Sequence, residues 1–234
     1  MTKLKLKLQH QVFIALIIGA CYFSNAQTNK CKFLFSPTFG NSALFLDTYY
    51  PIALNDSLQI TTLKFYISAI ELWQDEKLVW KEKTQYHLVD VSEASSLNFF
   101  LEFDKLINFN NIKFNLGVDS VTNVSGALGG ALDPTRGMYW TWQSGYINLK
   151  LEGNTNLCKA RHNEFVFHLG GYQKPFLGVQ HLKLETNHKE EIKITMDIKE
   201  VLNAINLANQ NHIMSPSIEA VKIAESIAKT LKVN

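Results

Sequence analysis

The feature that most limits the fold of this chain is a series of short segments in which apolar and polar residues alternate. Residues 57–73, 85–91 and 164–169 show it most clearly, and glycines or charged turns separate the segments. Alternation with a period of two is the pattern of a strand that buries one face. Strands at this spacing predict a mainly β fold, a single-domain antiparallel β-sandwich. Helical spacing of apolar residues after Ser215 predicts a C-terminal helix that packs on the sandwich.

The first 26 residues have the composition of a signal peptide. Three lysines precede an apolar run at residues 12–23, and small residues follow it up to Ala26. This layout predicts cleavage after Ala26, so that residues 27–234 form the mature domain in the periplasm or at the cell surface. Residues 18–21 also resemble a lipoprotein processing box. In that alternative, a lipid on Cys21 would anchor the protein to the membrane.

Export determines how the other cysteines are interpreted. Cys31 and Cys158 are the two that remain after residue 26. Cysteines pair by default in an oxidising compartment, so we predict a disulfide between them.

Composition and motifs argue against several functional classes. The formal net charge is only +2 and no basic cluster is visible, which argues against nucleic-acid binding. The sequence contains no G-x-S-x-G, H-E-x-x-H or phosphate-binding lysine loop. We therefore expect a protein that is not an enzyme.

A glycine-rich stretch that becomes strand-like, residues 126–153, holds two of the four tryptophans. Strand alternation over residues 138–151 would place one set of side chains on a common face, namely Met138, Trp140, Trp142, Ser144, Tyr146, Asn148 and Lys150. Such a face is either an aromatic-rich part of the core or the wall of a binding site.

Two histidines, His87 and His168, lie inside apolar strands instead of in turns. One interpretation is that each is a hydrogen-bonded core residue. The other is that, together with Met138 and the indole pair, they form a soft nitrogen and sulfur site suited to Cu(I).

Several segments, in this order, resemble the MbnP family of exported proteins, some of which are encoded beside methanobactin genes. They are residues 63–68, 86–90, 117–120, 132–134, 137–142, 144–146, 152–153 and 167–170. The resemblance extends from Cys31 to the C-terminal helix, which is essentially the whole mature chain.

The resemblance implies an exported β-sandwich that handles copper. Related proteins bind Cu(I) through two histidines and a tryptophan oxidised to kynurenine, and the oxidation is attributed to a partner dihaem peroxidase of the MauG type. His168 matches the F-H-L-G strand of the family, and Trp140 and Trp142 match its W-x-W element. This chain departs from the copper-binding surface proteins of methanotrophs, because a tryptophan stands where they have a histidine two residues from the modified tryptophan. We therefore expect His87 to supply the second imidazole.

Two functions follow as hypotheses. The first is a copper-binding protein with His168, His87, Met138 and one of the paired tryptophans at its site. The second is a metal-free surface module that uses Trp140, Trp142 and Tyr146 to recognise a glycan or a protein.

Overall fold

The structure is a computed structural model that describes residues 29–53, 56–187 and 190–234. The signal peptide and lipidation predictions, including Cys21, lie outside the described residues. So does the predicted start of the mature domain at residue 27.

Within those ranges the chain forms seventeen strands and three α-helices. The strands are β1 (Asn29–Phe39), β2 (Ser42–Ala43), β3 (Tyr49–Ala53), β4 (Asp56–Gln74), β5 (Lys77–Lys81), β6 (Tyr86–Asp90), β7 (Asn98–Phe103), β8 (Asn111–Leu116), β9 (Tyr139–Trp140), β10 (Gly145–Thr155), β11 (Glu164–Gly170), β12 (Tyr172–Gln173), β13 (Phe176–Leu177), β14 (Gln180–Glu185), β15 (Glu191–Asp197), β16 (His212–Ile213) and β17 (Leu231–Val233). The helices are α1 (Ser120–Val124), α2 (Ile198–Asn203) and α3 (Ile218–Thr230). Short 3-10 turns occupy Ala94–Leu97, Gly130–Leu132, Pro134–Arg136 and Arg161–Asn163.

The strands form two large sheets. The first sheet has the order β17-β15-β1-β2, and β7 also pairs with β1. The second has the order β14-β8-β4-β10-β11-β16, with β3, β5 and β6 on the long strand β4 and β9 on β10. Most pairs are antiparallel, as predicted, but β1 with β15 and β11 with β16 are parallel. The predicted β-sandwich is confirmed.

The main core lies between the two sheets. Leu63, Phe65 and Ile67 alternate along β4 and are fully buried there. The ring of Phe65 meets that of Phe35 from the first sheet edge to face, with centroids 5.6 Å apart. The period-two pattern of β4 therefore faces the first sheet, as expected for a strand in a sandwich.

A second, smaller cluster covers the outer face of the second sheet, the face that points away from the first sheet. Its buried members are Tyr66, Val118, Leu132, Met138, Trp140, Tyr146 and Ile147. Residues 117–145 supply the cover, so β4 and β10 are buried on both faces over part of their length.

The predicted C-terminal helix is confirmed as α3. It begins after Ser217, whose hydroxyl accepts a hydrogen bond from the amide of Ala220 at 3.1 Å, so that serine is the N-cap. Ile223 and Ile227 are buried against the main core. No helix in the described part of the chain is long and apolar enough to cross a membrane.

The predicted disulfide is wrong. Cys31 and Cys158 are free thiols, both buried in the main core. Cys31 lies opposite Leu101 in the first sheet, whereas Cys158 follows β10 of the second sheet and its Sγ donates to the carbonyl of Leu207 at 3.3 Å. Burial raises the pKa of Cys31 to about 12 and also raises that of Cys158. Each thiol therefore packs as an apolar group, and the two thiols have different neighbours.

Candidate functional site

The stretch predicted as one strand, residues 138–151, is a hairpin. Trp140 in β9 pairs with Gly145 in β10, and residues 141–144 form the turn between them. Ser144 has a φ of 53°, the left-handed conformation that a tight reversal requires. The predicted common face is therefore divided, because Trp142 lies in the turn and is 65% exposed while Trp140 is only 5% exposed. The two indole rings are still neighbours, with centroids 6.0 Å apart.

Trp140 packs against the backbone of β11. A β-carbon on Gly170 would lie 2.7 Å from Cζ3 of the Trp140 ring and 2.6 Å from the carbonyl oxygen of Tyr146. Only glycine leaves room for the indole here. The Nε1 of Trp140 is buried and has no hydrogen-bond partner among the described residues. Met138 is fully buried in the same cluster.

Tyr146 connects this cluster to the loop that covers it. Its hydroxyl accepts a hydrogen bond from the amide of Leu128 at 2.9 Å and lies 3.1 Å from the carbonyl of Leu132, to which it can donate. Its ring makes edge contacts with Tyr66 and Tyr139 at centroid distances of 6.1 and 4.9 Å. The side chain thus fixes the cover by both hydrogen bonds and packing.

His168 lies on the outer face of the second sheet, on the same side of β11 as Gly170. The residues next to it in sequence, Phe167 and Leu169, point into the main core. Its Nε2 is 2.6 Å from Oε1 of Glu152 on β10. His168 is only 6% exposed, whereas the side chain of Glu152 is 29% exposed, so water reaches the pair from the glutamate side.

Charged groups continue from this pair across the outer face. Lys150 lies directly opposite His168, Lys64 opposite Lys150, and Asp90 opposite Lys64. Lys64 and Asp90 form an ion pair of 2.7 Å. Lys150 donates through Nζ to the carbonyl of Gly137 at 2.6 Å, and burial lowers its pKa. Lys150, within this row, therefore contacts the segment that carries Met138.

The hydrogen bond from His168 is the main reason that the pKa of Glu152 falls to about 2, against the opposing effect of burial. A carboxyl group with a lowered pKa contributes stability that is complete above its unfolded pKa, near 4.5, and is lost as the pH falls toward 2.

We expect Glu152→Gln to remove part of the acid sensitivity of the fold. The wild type should lose about 1 kcal/mol more than the variant between about pH 6 and pH 3, because partial exposure of Glu152 screens the interaction. Urea unfolding at the two pH values measures this difference. Glu164→Gln is the matched control, since Glu164 is exposed and has no partner among the described residues. Equal acid sensitivity in wild type and Glu152→Gln would contradict the conclusion that ionised Glu152 stabilises the fold.

His87 lies on the opposite face of the same sheet. It is directly opposite Ile67, which belongs to the main core. Its ring stacks on Phe99 of the first sheet at a centroid distance of 3.6 Å, and its Nε2 is 2.8 Å from Oε1 of Glu82. A sheet therefore separates His87 from His168, and the two imidazoles do not face one site.

The model of the MbnP family matches residues 28–215. The chain belongs to the MbnP family. Among solved structures, this MbnP-family chain is similar to MbnP from Methylosinus trichosporium, with a TM-score of 0.58, 11% identity and coverage of 84% of this chain and 88% of that one. At that identity the likeness shows the fold alone. No curated protein matches.

Of the predicted site residues, His168, Met138 and Trp140 lie on or over the outer face and Trp142 lies in the adjoining hairpin turn, whereas His87 lies on the inner face. No group of three or more histidine, cysteine or acidic side chains that could hold a metal ion occurs among the described residues. The sequence analysis did not identify Glu152 as the partner of His168, nor Gly170 as the residue against which Trp140 packs. Both stand in segments that resemble the family, but their pairing depends on the register of β10 and β11.

Proposed function

We propose that this MbnP-family chain is an exported, non-enzymatic binding protein that holds Cu(I) at the outer face of the second sheet, with His168 as the anchoring ligand. One observation carries the proposal. Trp140 packs against Gly170, which is two residues from His168 on the same face of the same strand.

The chemistry of this face supports a soft metal. Imidazole nitrogen and thioether sulfur are ligands that suit Cu(I), and His168 and Met138 supply one of each. Glu152 occupies Nε2 of His168, which leaves Nδ1 as the coordinating nitrogen. A carboxylate that orients the second nitrogen of a ligating histidine is the usual support of a metal site. The residues thus fit a site with one histidine, and they do not fit the pair of His87 and His168.

The proposal includes a partner protein that oxidises a tryptophan. A dihaem peroxidase of the MauG type would accept electrons from an indole, with peroxide as the final oxidant. Trp142 is the indole that a docking protein can reach, because it is 65% exposed in the hairpin turn. Trp140 lies behind it at 6.0 Å. Peptide mapping by mass spectrometry of protein from its native host should therefore find oxidation first at Trp142.

The decisive test compares His168→Gln with His87→Gln. The glutamine amide can still donate to the neighbouring glutamate in each variant, but it does not replace imidazole as a Cu(I) ligand. Anaerobic Cu(I) titration against a chromophoric chelator should show stoichiometric binding in the wild type. Binding should weaken at least about a hundredfold in His168→Gln, about 2.7 kcal/mol, and persist in His87→Gln.

The exposed His181, which lies 2.6 Å from Asn115, gives a surface control as His181→Gln. Unchanged affinity in His168→Gln would refute the site. Equal loss in both buried variants would show instead that the two histidines act together, against the geometry described.

The second candidate function is metal-free recognition by the aromatic turn. The specific observation is that exposed Val121 and Val124 of α1 lie beside the hairpin that carries Trp142, since Asn123 Oδ1 accepts from the amide of Tyr146 at 2.7 Å. Grouped exposed apolar side chains mark interaction surfaces. Binding of a glycan or protein that is lost in Trp142→Ala and indifferent to chelators would favour this function over copper.

A further inference from the structure

A cleft of about 590 Å³ lies at the far end of β10, away from the tryptophan hairpin. Its walls come from the start of β4, the end of β10, strand β3 and the turn before β11. The residues that matter for its chemistry are Tyr49, Asn154, Asn156, His162, Asn163 and Glu164. This volume is within the range of small-molecule sites, about 300–1,000 Å³.

We infer that this cleft binds a neutral carbohydrate, with the ring of Tyr49 against one face of a sugar and with Asn163 and Glu164 on its hydroxyl groups. The site is separate from the proposed copper site, because Glu164 at the start of β11 is four residues from His168, about 13 Å along an extended strand.

The aromatic wall is the first argument. Tyr49 is 66% exposed, whereas its neighbour Tyr50 is buried and stacks on Phe39 with centroids 4.4 Å apart. Alternation along β3 thus fixes Tyr50 in the core and turns Tyr49 outward at the rim of the cleft. An exposed phenol ring has an apolar face and a polar tip, which suits the mixed surface of a sugar ring.

The polar wall is the second argument. The side chains of Asn163 and Glu164 have no partner among the described residues. An amide both donates and accepts hydrogen bonds, and a carboxylate accepts them, so the two together match the donor and acceptor character of sugar hydroxyls.

The backbone of the turn supplies the third argument. His162 and Asn163 are consecutive non-glycine residues with positive φ, 60° and 56°. Such conformations are uncommon outside glycine and concentrate at functional sites. Both residues line the cleft.

Hydrogen bonds hold together the strands that build the cleft. Asn156 joins the same strands, since it accepts from the amide of Ser57 at 3.3 Å and donates to Asp56 at 2.8 Å. A preformed cleft loses little entropy when it binds a ligand.

The lining also excludes other classes of ligand. No lysine or arginine is among the residues that line the cleft in the described part of the chain, so phosphate and sulfate groups find no cation. Each residue that lines the cleft carries a polar side-chain group, so a lipid or another large apolar ligand would leave polar groups unpaired.

The test uses the purified chain and a panel of neutral oligosaccharides, namely the hexasaccharides of cellulose, xylan, mannan, amylose and chitin. Heteronuclear NMR of the backbone amides should show saturable shifts at residues 49, 154, 163 and 164 with at least one of them. Tyr49→Ala should weaken that binding about tenfold, and Tyr49→Phe should keep most of it. Asn163→Gly removes the amide side chain without strain at positive φ and should weaken binding several-fold.

Phe100→Ala is the matched control, because Phe100 is an exposed aromatic residue of the first sheet. It should bind as the wild type does, and all variants should keep the wild-type melting temperature within a few degrees. Failure of the whole panel to bind would overturn the inference. Binding lost in Trp142→Ala but kept in Tyr49→Ala would overturn it too, and would move carbohydrate recognition to the hairpin. Neither result bears on Cu(I) affinity in His168→Gln, so the two proposals fail separately.

Discussion

Tyr146→Ala is expected to lower the free energy of unfolding by about 3–5 kcal/mol, the usual cost of truncating a large buried aromatic side chain. Tyr146 is 1% exposed, and its ring contacts Tyr66 and Tyr139 at the centre of the outer cluster. The change also leaves the amide of Leu128 without its acceptor. Loss of one side chain therefore removes both the packing and the hydrogen bonds that hold the cover on the sheet.

Urea unfolding and amide hydrogen exchange measure the two effects. Tyr146→Phe is the matched control, because it keeps the ring and loses only the hydroxyl; it should cost about 1–2 kcal/mol. Exchange in Tyr146→Ala should accelerate most at residues 126–132 and least in the first sheet. Uniform acceleration over both sheets would show that the cover and the sandwich unfold as one unit, contrary to this expectation.

Gly170→Ala is expected to cost about 1–3 kcal/mol, as overpacking of a tight interior does. The added methyl group would meet the carbonyl of Tyr146 and the ring of Trp140 at less than 3 Å. Because a backbone carbonyl moves less easily than a side chain, the indole should be the group that shifts. The near-ultraviolet circular dichroism of the tryptophans should therefore change, and Cu(I) affinity should fall with it.

Gly129→Ala is the control for that change, since nothing lies within 4 Å of the added methyl group and the backbone there does not require glycine. It should leave stability, the tryptophan spectrum and Cu(I) affinity unaltered. If Gly170→Ala matches this control in all three measurements, Trp140 does not rest on β11 as described.

The sandwich could be predicted from sequence because strand alternation is a local property of each segment. It does not depend on which strands pair in the two sheets. The position of His168 could be predicted in the same way, since Phe167 and Leu169 on either side of it are core residues. His87 could not be placed by that argument. Its neighbours Tyr86 and Leu88 are apolar too, because they pack against the outer cluster, and so both faces of β6 look alike in the sequence.

The hairpin and the free thiols were missed for a different reason. The alternation over residues 138–151 continues without a break in the sequence, so it does not reveal the turn at residues 141–144. The pairing of Trp140 with Gly145 depends on contacts with β11, which the sequence does not show. The disulfide was inferred from the expected compartment alone. An oxidising compartment allows cysteines to form a disulfide, but the fold determines whether two of them are close enough to do so.

The parallel pairing of β1 with β15 has a consequence for the order of assembly. Lys32 lies opposite Glu191, so β1 pairs with a strand that is more than 150 residues away in sequence. Contacts this distant in sequence form late, because a long loop must be closed first. During synthesis or transport, β1 can therefore pair only with β7 and the two-residue strand β2 until the chain has emerged almost completely. A chain cut short before residue 191 would retain most of the second sheet and would expose an unpaired edge of β1, the kind of edge that drives aggregation.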